Sequence, residues 1–381
     1  MRILLTGGGT GGHITPLLAV AHELKTLDPS CELIYIGEKD GKFAQLTEEH
    51  HAIDGTFTIS AGKFRRYYGE SWLSRMLDWR TNLLNIRDAV RVVVGLVEAC
   101  ILLGRLRPDA IFLKGGFVGV PTGIAARLFG IPVVTHDSDI MPGLANRIAG
   151  RSAKVHATAM PAEHYAYPKE KVRHVGVLVS LDYQKVSPGL MQGYRTDLGL
   201  PNDAEVLFVT GGSQGARNIN RTMAAIAPNL LNQRPRLHIL HQVGKGNENT
   251  YGAFESDRLH VMPFVQGLHR YSGAADVIVT RAGANTLAEF GIQQKACIVI
   301  PHPFLTGGHQ LKNAEYLADK DAALVLQEAD ISKHPEKLIT AISELLDDDD
   351  KRREMAEALN DMAIPDAARK LAMILLDVAK T

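Results

Sequence analysis

Gly7-Gly8-Gly9-Thr10-Gly11-Gly12-His13 puts five glycines in six positions and closes them with an imidazole. Backbone free of side chains lets N–H groups close on an anionic group at the start of a helix. An imidazole titrates near neutrality, with an unperturbed pKa of about 6.5, so His13 is fit to take a proton from a hydroxyl. The alternative for the glycines is a tight strand-to-helix turn that only permits close packing. Further stretches carry the same kind of chemistry. Lys114-Gly115-Gly116-Phe117-Val118-Gly119-Val120-Pro121 and Gly211-Gly212-Ser213-Gln214-Gly215-Ala216-Arg217 are glycine turns. Arg281-Ala282-Gly283-Ala284-Asn285-Thr286-Leu287-Ala288-Glu289 is a small-residue turn with a carboxylate one helical turn inside. Helix starts around Ser213 and Thr286 can neutralise a pyrophosphate leaving group without a metal. Glu289 is placed to accept hydrogen bonds from vicinal ribose hydroxyls, and Gln310, both donor and acceptor, suits sugar hydroxyls.

The elements that must position these residues follow from apolar runs. Residues 1–6 (M-R-I-L-L-T) read as a strand, 16–27 as a helix opened by Pro16, and 32–37 as a second strand, which makes the start a βαβ unit. Glu38 then invites a rival reading, because Gly7-x-Gly9-x-x-Gly12 has dinucleotide spacing and an acid after the second strand can bind ribose. Strands over 110–113 and 131–135 end in the Lys114 turn and in His136-Asp137-Ser138-Asp139. A second half begins near residue 177, with strands over 205–210, 237–240, 259–262, 277–280 and 296–300. The run 347–350 of aspartates before Lys351-Arg352-Arg353 reads as a solvated helix boundary, and a last helix follows Pro365. In open α/β sheets the ligand crevice lies at the carboxyl ends of the strands. The expected fold class is therefore α/β, with two Rossmann-like parallel-sheet domains facing a cleft, an arrangement suited to a reaction between two phosphorylated substrates.

Composition sets the bounds. A chain of 381 residues predicts two domains, and 45% apolar with 22% charged residues is that of a globular protein. Lys+Arg and Asp+Glu both number 42, so no global field draws nucleic acid, and anions must be held by local geometry. Cys31, Cys100 and Cys297 are widely spaced in apolar surroundings and read as thiols in a reducing compartment. No histidine partner stands at metal-like spacing from His136. The start reaches its glycines too soon for a signal peptide, and no run is long enough to span a bilayer, which predicts a cytosolic protein or one resting on a membrane from that side. Phe64-Arg65-Arg66-Tyr67-Tyr68 through Trp72, Met76, Trp79 and Arg80 interleaves both tryptophans with arginines. That composition describes a peripheral membrane patch, with an ordinary packed amphipathic helix as the alternative; exposure of Trp72 and Trp79 decides.

Gly8 to His13, Lys114 to Pro121, Gly211 to Ala216, Ala282 to Glu289 and His309-Gln310-Leu311-Lys312-Asn313-Ala314 occur together in an order and spacing that resembles the MurG family over essentially the whole chain. These are GT-B enzymes that move N-acetylglucosamine (GlcNAc) from UDP-GlcNAc to the polyprenyl-pyrophosphate-linked acceptor lipid I, forming lipid II for peptidoglycan. The resemblance implies an inverting hexosyltransferase at the cytoplasmic face of the membrane, with no cofactor and UDP-GlcNAc as a substrate. It implies an N-terminal acceptor and membrane domain over 1–176 plus 364–381, and a donor domain over 177–363 with a hinge at 177–180. By position, His13 would be the general base, with Asp137 beside it among the catalytic positions. Thr10, Gly11 and Gly12 would lie at the donor sugar and acceptor pyrophosphate. Ser213 would contact donor phosphate, and the Val265 backbone would read uracil. Ala284, Asn285, Thr286, Leu287 and Ala288 would embrace phosphate and sugar, Glu289 the ribose, and Gln310 the GlcNAc.

Two departures stand out. The family's usual His-Glu-Gln-Asn is His136-Asp137-Ser138-Asp139 here, so Asp139 replaces an amide that meets the sugar. The hinge Asn-Pro-Val-Arg is Val177-Leu178-Val179-Ser180, without the arginine that supports the donor pyrophosphate; Arg217, Arg281 and His309 are the available substitutes. The competing functions are a MurG-like transferase with another sugar or lipid acceptor, a non-catalytic nucleotide-sugar binder, and an NAD-dependent oxidoreductase built on Gly7 to Gly12 and Glu38.

Overall fold

The computed structural model describes residues 1–8, 11–39, 41, 47–63, 78–303 and 308–381, with the side chains of 11–13 and 80 outside the description. The chain divides into two compact units, one of Met1–Ser180 with Pro365–Thr381, the other of Leu181–Ile364.

In unit 1, β1 (Arg2–Gly7), β2 (Glu32–Glu38), β3 (Gly55–Ile59), β4 (Ala110–Gly115), β5 (Val133–Asp137), β6 (Val155–Thr158) and β7 (Val172–His174) form one seven-stranded sheet in the order β3-β2-β1-β4-β5-β6-β7. Every pairing is parallel. Runs such as Ile3-Leu4-Leu5 and Ile111-Phe112-Leu113 are buried throughout, as a parallel sheet covered on both faces requires. The chain leaves β1 toward β2 and β3 and returns on the other side as β4. This reversal is the topological switch point where open sheets bind ligands. The glycine turns after β1 and β4 meet there. Gly116 holds φ +84°, and a Cβ on it would stand 2.3 Å from the Gly8 carbonyl oxygen. The helix Gly11–Leu27 starts earlier than its proline signal and keeps Pro16 inside, where the ring has no N–H for the carbonyl four residues back. The last helix, Ala367–Ala379, packs on Gly11–Leu27 and buries Leu371, Leu375 and Val378.

In unit 2, β8 (Glu205–Thr210), β9 (Leu237–Gln242), β10 (Leu259–Met262), β11 (Val277–Thr280), β12 (Ala296–Val299) and β13 (Leu324–Val325) form a six-stranded sheet ordered β10-β9-β8-β11-β12-β13. Its pairings are parallel too. Alternate residues feed two cores. Leu207, Val209, Val277, Val279 and Ile298 face one; Val206, Phe208, Ile278, Cys297 and Val299 face the other. The reversal here lies between β8 and β11. The aspartate run does mark a helix boundary: Asp348 ends Glu336–Asp347 and caps Asp349–Met362, its carboxylate accepting from Lys351 N at 2.9 Å. Strands β3, β6, β7 and β13 carry no long apolar run, and the sequence does not announce them. Among the described residues no helix is long and apolar enough to cross a membrane.

Candidate active site

Three helices of unit 2 begin at the carboxyl edge of its sheet. Arg217–Gln233 follows β8, Ala284–Ile292 follows β11 and His309–Ala318 follows β12. The residues before them, Ala216, Gly283 and Gly308, provide no side-chain cap. The first N–H groups of a helix have no partner within it, so each uncapped start offers donors and the positive end of a dipole. Three such starts on one edge form a rim of N–H donors with the chemistry to hold an anion.

The turn after β8 is built to a tight tolerance. Gly212 N–H donates to Thr210 Oγ1 at 3.0 Å, and that hydroxyl donates to Gln242 Oε1 at 3.1 Å. Gly215 has φ +72°, and a Cβ there would come within 1.9 Å of the Val243 carbonyl oxygen. The same carbonyl accepts from Asn220 Nδ2 at 2.8 Å. Asn220 Oδ1 then meets His241 Nε2 at 3.2 Å, and His241 Nδ1 meets Tyr251 Oη at 2.6 Å. Burial pushes His241 down to about 3, so its ring is neutral, donating to Asn220 and accepting from Tyr251. This buried relay locks the turn that exposes Ser213. The sequence reading missed it, because His241 and Tyr251 lie in no motif.

Around the other starts, Ala284, Leu287 and Ala288 are buried, and Asn285, Thr286 and Glu289 half-buried. Burial pushes the Glu289 carboxyl up to about 7, against a hydrogen bond from Tyr183 that lowers it. Gln310 stands in the first turn of its helix, where its Oε1 accepts from His302 N at 2.9 Å. His309 Nδ1 is buried with no partner among the described residues. Val265 is buried next to the exposed Phe264, just past β10. Of the cations considered in place of the hinge arginine, Arg281 is engaged elsewhere: it forms a buried ion pair with Glu328 and donates to Ile300 O at 3.1 Å. Arg217 is exposed at the first position of its helix.

In unit 1 the carboxyl ends of β4 and β5 are joined by side chains. Lys114 Nζ donates to Ser138 Oγ at 2.7 Å and to His136 Nδ1 at 3.1 Å, while His136 Nε2 donates to Gly176 O at 2.9 Å. Burial pushes Lys114 down to about 8, and burial followed by the Lys114 charge holds His136 well below its ordinary value. Asp137 is only 5% exposed. Its carboxylate accepts from Gly143 N at 3.0 Å, Asn146 Nδ2 at 2.9 Å and Tyr167 Oη at 2.8 Å. Burial raises its pKa against those three donors. Asp139 is half-buried, its carbonyl accepting from Tyr165 Oη at 2.9 Å. Gly11, Gly12 and His13 form the first turn of the helix Gly11–Leu27, with the His13 side chain outside the described residues. Thr10 and Trp72 also lie outside them. Trp79 is 66% exposed.

The chain matches the glycosyltransferase family 28 N-terminal domain over residues 3–158 and the C-terminal domain of the same family over 206–371. It is 34% identical to the UDP-N-acetylglucosamine–N-acetylmuramyl-(pentapeptide) pyrophosphoryl-undecaprenol N-acetylglucosamine transferase of Symbiobacterium thermophilum, over all of this chain and 97% of that protein. The crystal structure of Acinetobacter baumannii MurG superposes with a TM-score of 0.71 at 25% identity, covering 99% of both chains. A calicheamicin glycosyltransferase, 14% identical, shares the GT-B fold alone, with a TM-score of 0.65 over 100% of this chain and 98% of its own. The oxidoreductase reading built on Gly7 to Gly12 and Glu38 is not favoured by any of these matches. With full-length relatives, both domain models and the two parallel sheets in agreement, the chain belongs to the MurG family of glycosyltransferase 28 enzymes.

Proposed function

We propose that this protein transfers N-acetylglucosamine from UDP-GlcNAc to lipid I, the undecaprenyl-pyrophosphoryl N-acetylmuramyl-pentapeptide, with inversion at the sugar, to give lipid II. The observation that carries the donor half is the rim of three uncapped helix starts on the carboxyl edge of unit 2. A departing diphosphate develops negative charge, and preorganised N–H donors stabilise it without reorganising. Ser213 and the 284–288 turn hold the phosphates, and the Val265 backbone reads the uracil edge. Glu289 takes the ribose hydroxyls. Gln310 turns its amide nitrogen to the GlcNAc, since its oxygen serves His302. Arg217 supplies the positive charge that the hinge lacks at Ser180, and His309 offers its unpartnered Nδ1 to the phosphates. The chemistry calls on no cofactor.

Unit 1 takes the acceptor. Thr10, Gly11 and Gly12 address the sugar and pyrophosphate, and His13 removes the proton from the attacking hydroxyl. Asp137 contributes by fixing the turn that carries Asp139, because its three donors all come from unit 1. The helix Trp79–Leu106 supplies a membrane contact at the cytoplasmic face. Trp79, Leu83, Ile86, Val90, Val93 and Val97 form an exposed apolar stripe, flanked by the exposed Arg87, Arg91 and Arg105. The helix's acids turn inward: Asp88 is buried against Arg87, and Glu98 accepts from Ser60 N and pairs with Lys39. An apolar stripe edged by arginines alone complements an anionic lipid surface. UDP release by purified protein with UDP-GlcNAc and lipid I tests the reaction. Release that requires UDP-glucose or a diacylglycerol acceptor instead would sink it.

A further inference from the structure

The donor-site reading above leaves a half-buried carboxylate, Glu289, to bind ribose, and one side chain outside every motif reaches it. Tyr183 lies in the segment 181–187 that leads into the helix Pro188–Asp197, and its hydroxyl donates to Glu289. Its ring is held edge-on against His269 at 5.9 Å, and His269 is held in turn by Tyr194 at 6.0 Å. The His269 carbonyl accepts from Gln293 Nε2 at 2.7 Å, and Gln293 directly follows the helix that carries Glu289. Three elements thus fix the phenol relative to the carboxylate: the entry segment, the helix Leu268–Ala274 and the helix Ala284–Ile292.

Resting on that donor-site reading, we propose that Tyr183 is the positioning residue that aims the Glu289 carboxylate at the vicinal ribose hydroxyls of a uridine diphosphate sugar. An ionised carboxylate is acceptor-only, with about four lone-pair sites; one tyrosine donor leaves room for two ribose hydroxyls. A protonated carboxyl would present a donor of its own and lose that match. Burial favours the protonated form of Glu289, and the Tyr183 donation opposes it. Burial and the Tyr183 hydroxyl are what shift the Glu289 carboxyl, and Tyr183 itself is faced by Asp182 and His269.

The test uses the full chain and the substitution Tyr183→Phe, which keeps the ring against His269. KM for UDP-GlcNAc and for a 2′-deoxyuridine donor is measured from about pH 6 to pH 9. Loss of one hydrogen bond to a charged group raises KM for UDP-GlcNAc roughly tenfold near pH 7, with kcat changed less than about twofold. The rise shrinks toward pH 9, as Glu289 ionises without help. A KM unchanged in the variant, or raised equally at every pH, overturns the proposal, since packing alone has no such pH dependence. The deoxy donor separates the two readings. If the wild type treats both donors alike, Glu289 does not read the ribose and the donor-site reading itself fails. If it discriminates and Tyr183→Phe keeps both the KM and the pH profile, only the role of Tyr183 fails.

Discussion

Glu289, proposed to bind the ribose, shows how a buried carboxylate acts against the fold that holds it. Burial raises its carboxyl to about 7, above the 4.5 of an exposed glutamate, so between these values the folded state holds a proton that the unfolded chain has released. The stability it contributes is fully present below about pH 4.5 and is lost as pH rises through about 7. Glu289→Gln removes that loss. Its melting temperature should exceed the wild type's at pH 8 and match it at about pH 4, while KM for UDP-GlcNAc rises tenfold or more; differential scanning fluorimetry and initial rates read the two effects, and equal melting temperatures at pH 8 would contradict this account. His13 is the second residue whose chemistry can be isolated. A general base contributes about 10²–10⁴ in rate, so His13→Ala should lower kcat by that factor and leave calorimetric UDP-GlcNAc affinity within about twofold. A kcat within threefold of wild type would remove His13 from that role.

At the scale of elements, the helix Trp79–Leu106 is divided by which side is packed. Its buried side carries Asp88, Ala99 and Leu103, while the stripe from Trp79 to Val97 recurs at alternating spacings of four and three. Such spacing keeps one line of side chains along about 27 Å of helix surface. Val90→Asp with Val93→Asp puts two charges into that line without touching either sheet. Sedimentation with vesicles containing anionic lipid should fall at least fivefold, and UDP release with a detergent-soluble acceptor should stay near wild type. Unchanged sedimentation would mean that this stripe is not the membrane contact. The glycine turns belong to the same scale and were legible in the sequence, because a glycine cluster between an apolar strand and a helix has few other uses. What held them in place was not legible: the Asn220–His241–Tyr251 relay under Gly215 joins residues without any local pattern.

In the whole molecule, the last helix belongs to the first unit. Leu371 and Leu375 are fully buried, and their helix packs on Gly11–Leu27, the helix that carries His13. Leu371→Ala and Leu375→Ala should each destabilise by about 2–5 kcal/mol. Hydrogen exchange should speed up in β1, β2 and Gly11–Leu27 while β8 and β11 keep their protection. Equal loss of protection in both units would mean that they unfold together.

The sequence by itself determined the two α/β halves, nearly every central strand and the glycine turns, since apolar runs and turn chemistry are local properties of the chain. It also carried the family, through five motifs whose order is visible without coordinates. Only the tertiary structure decided what each side chain has left to give. Arg281 looked available for a pyrophosphate until Glu328, 47 residues away, engaged it. Asp137 stood among the catalytic positions by resemblance, and the structure adds that its carboxylate accepts from Gly143, Asn146 and Tyr167. Gln310 gives its oxygen to His302, and Tyr183, absent from every motif, reaches Glu289. The physical reason is the same in each case. A residue's type sets which bonds it can make, but burial and the partners brought beside it from distant parts of the chain set which ones it does make.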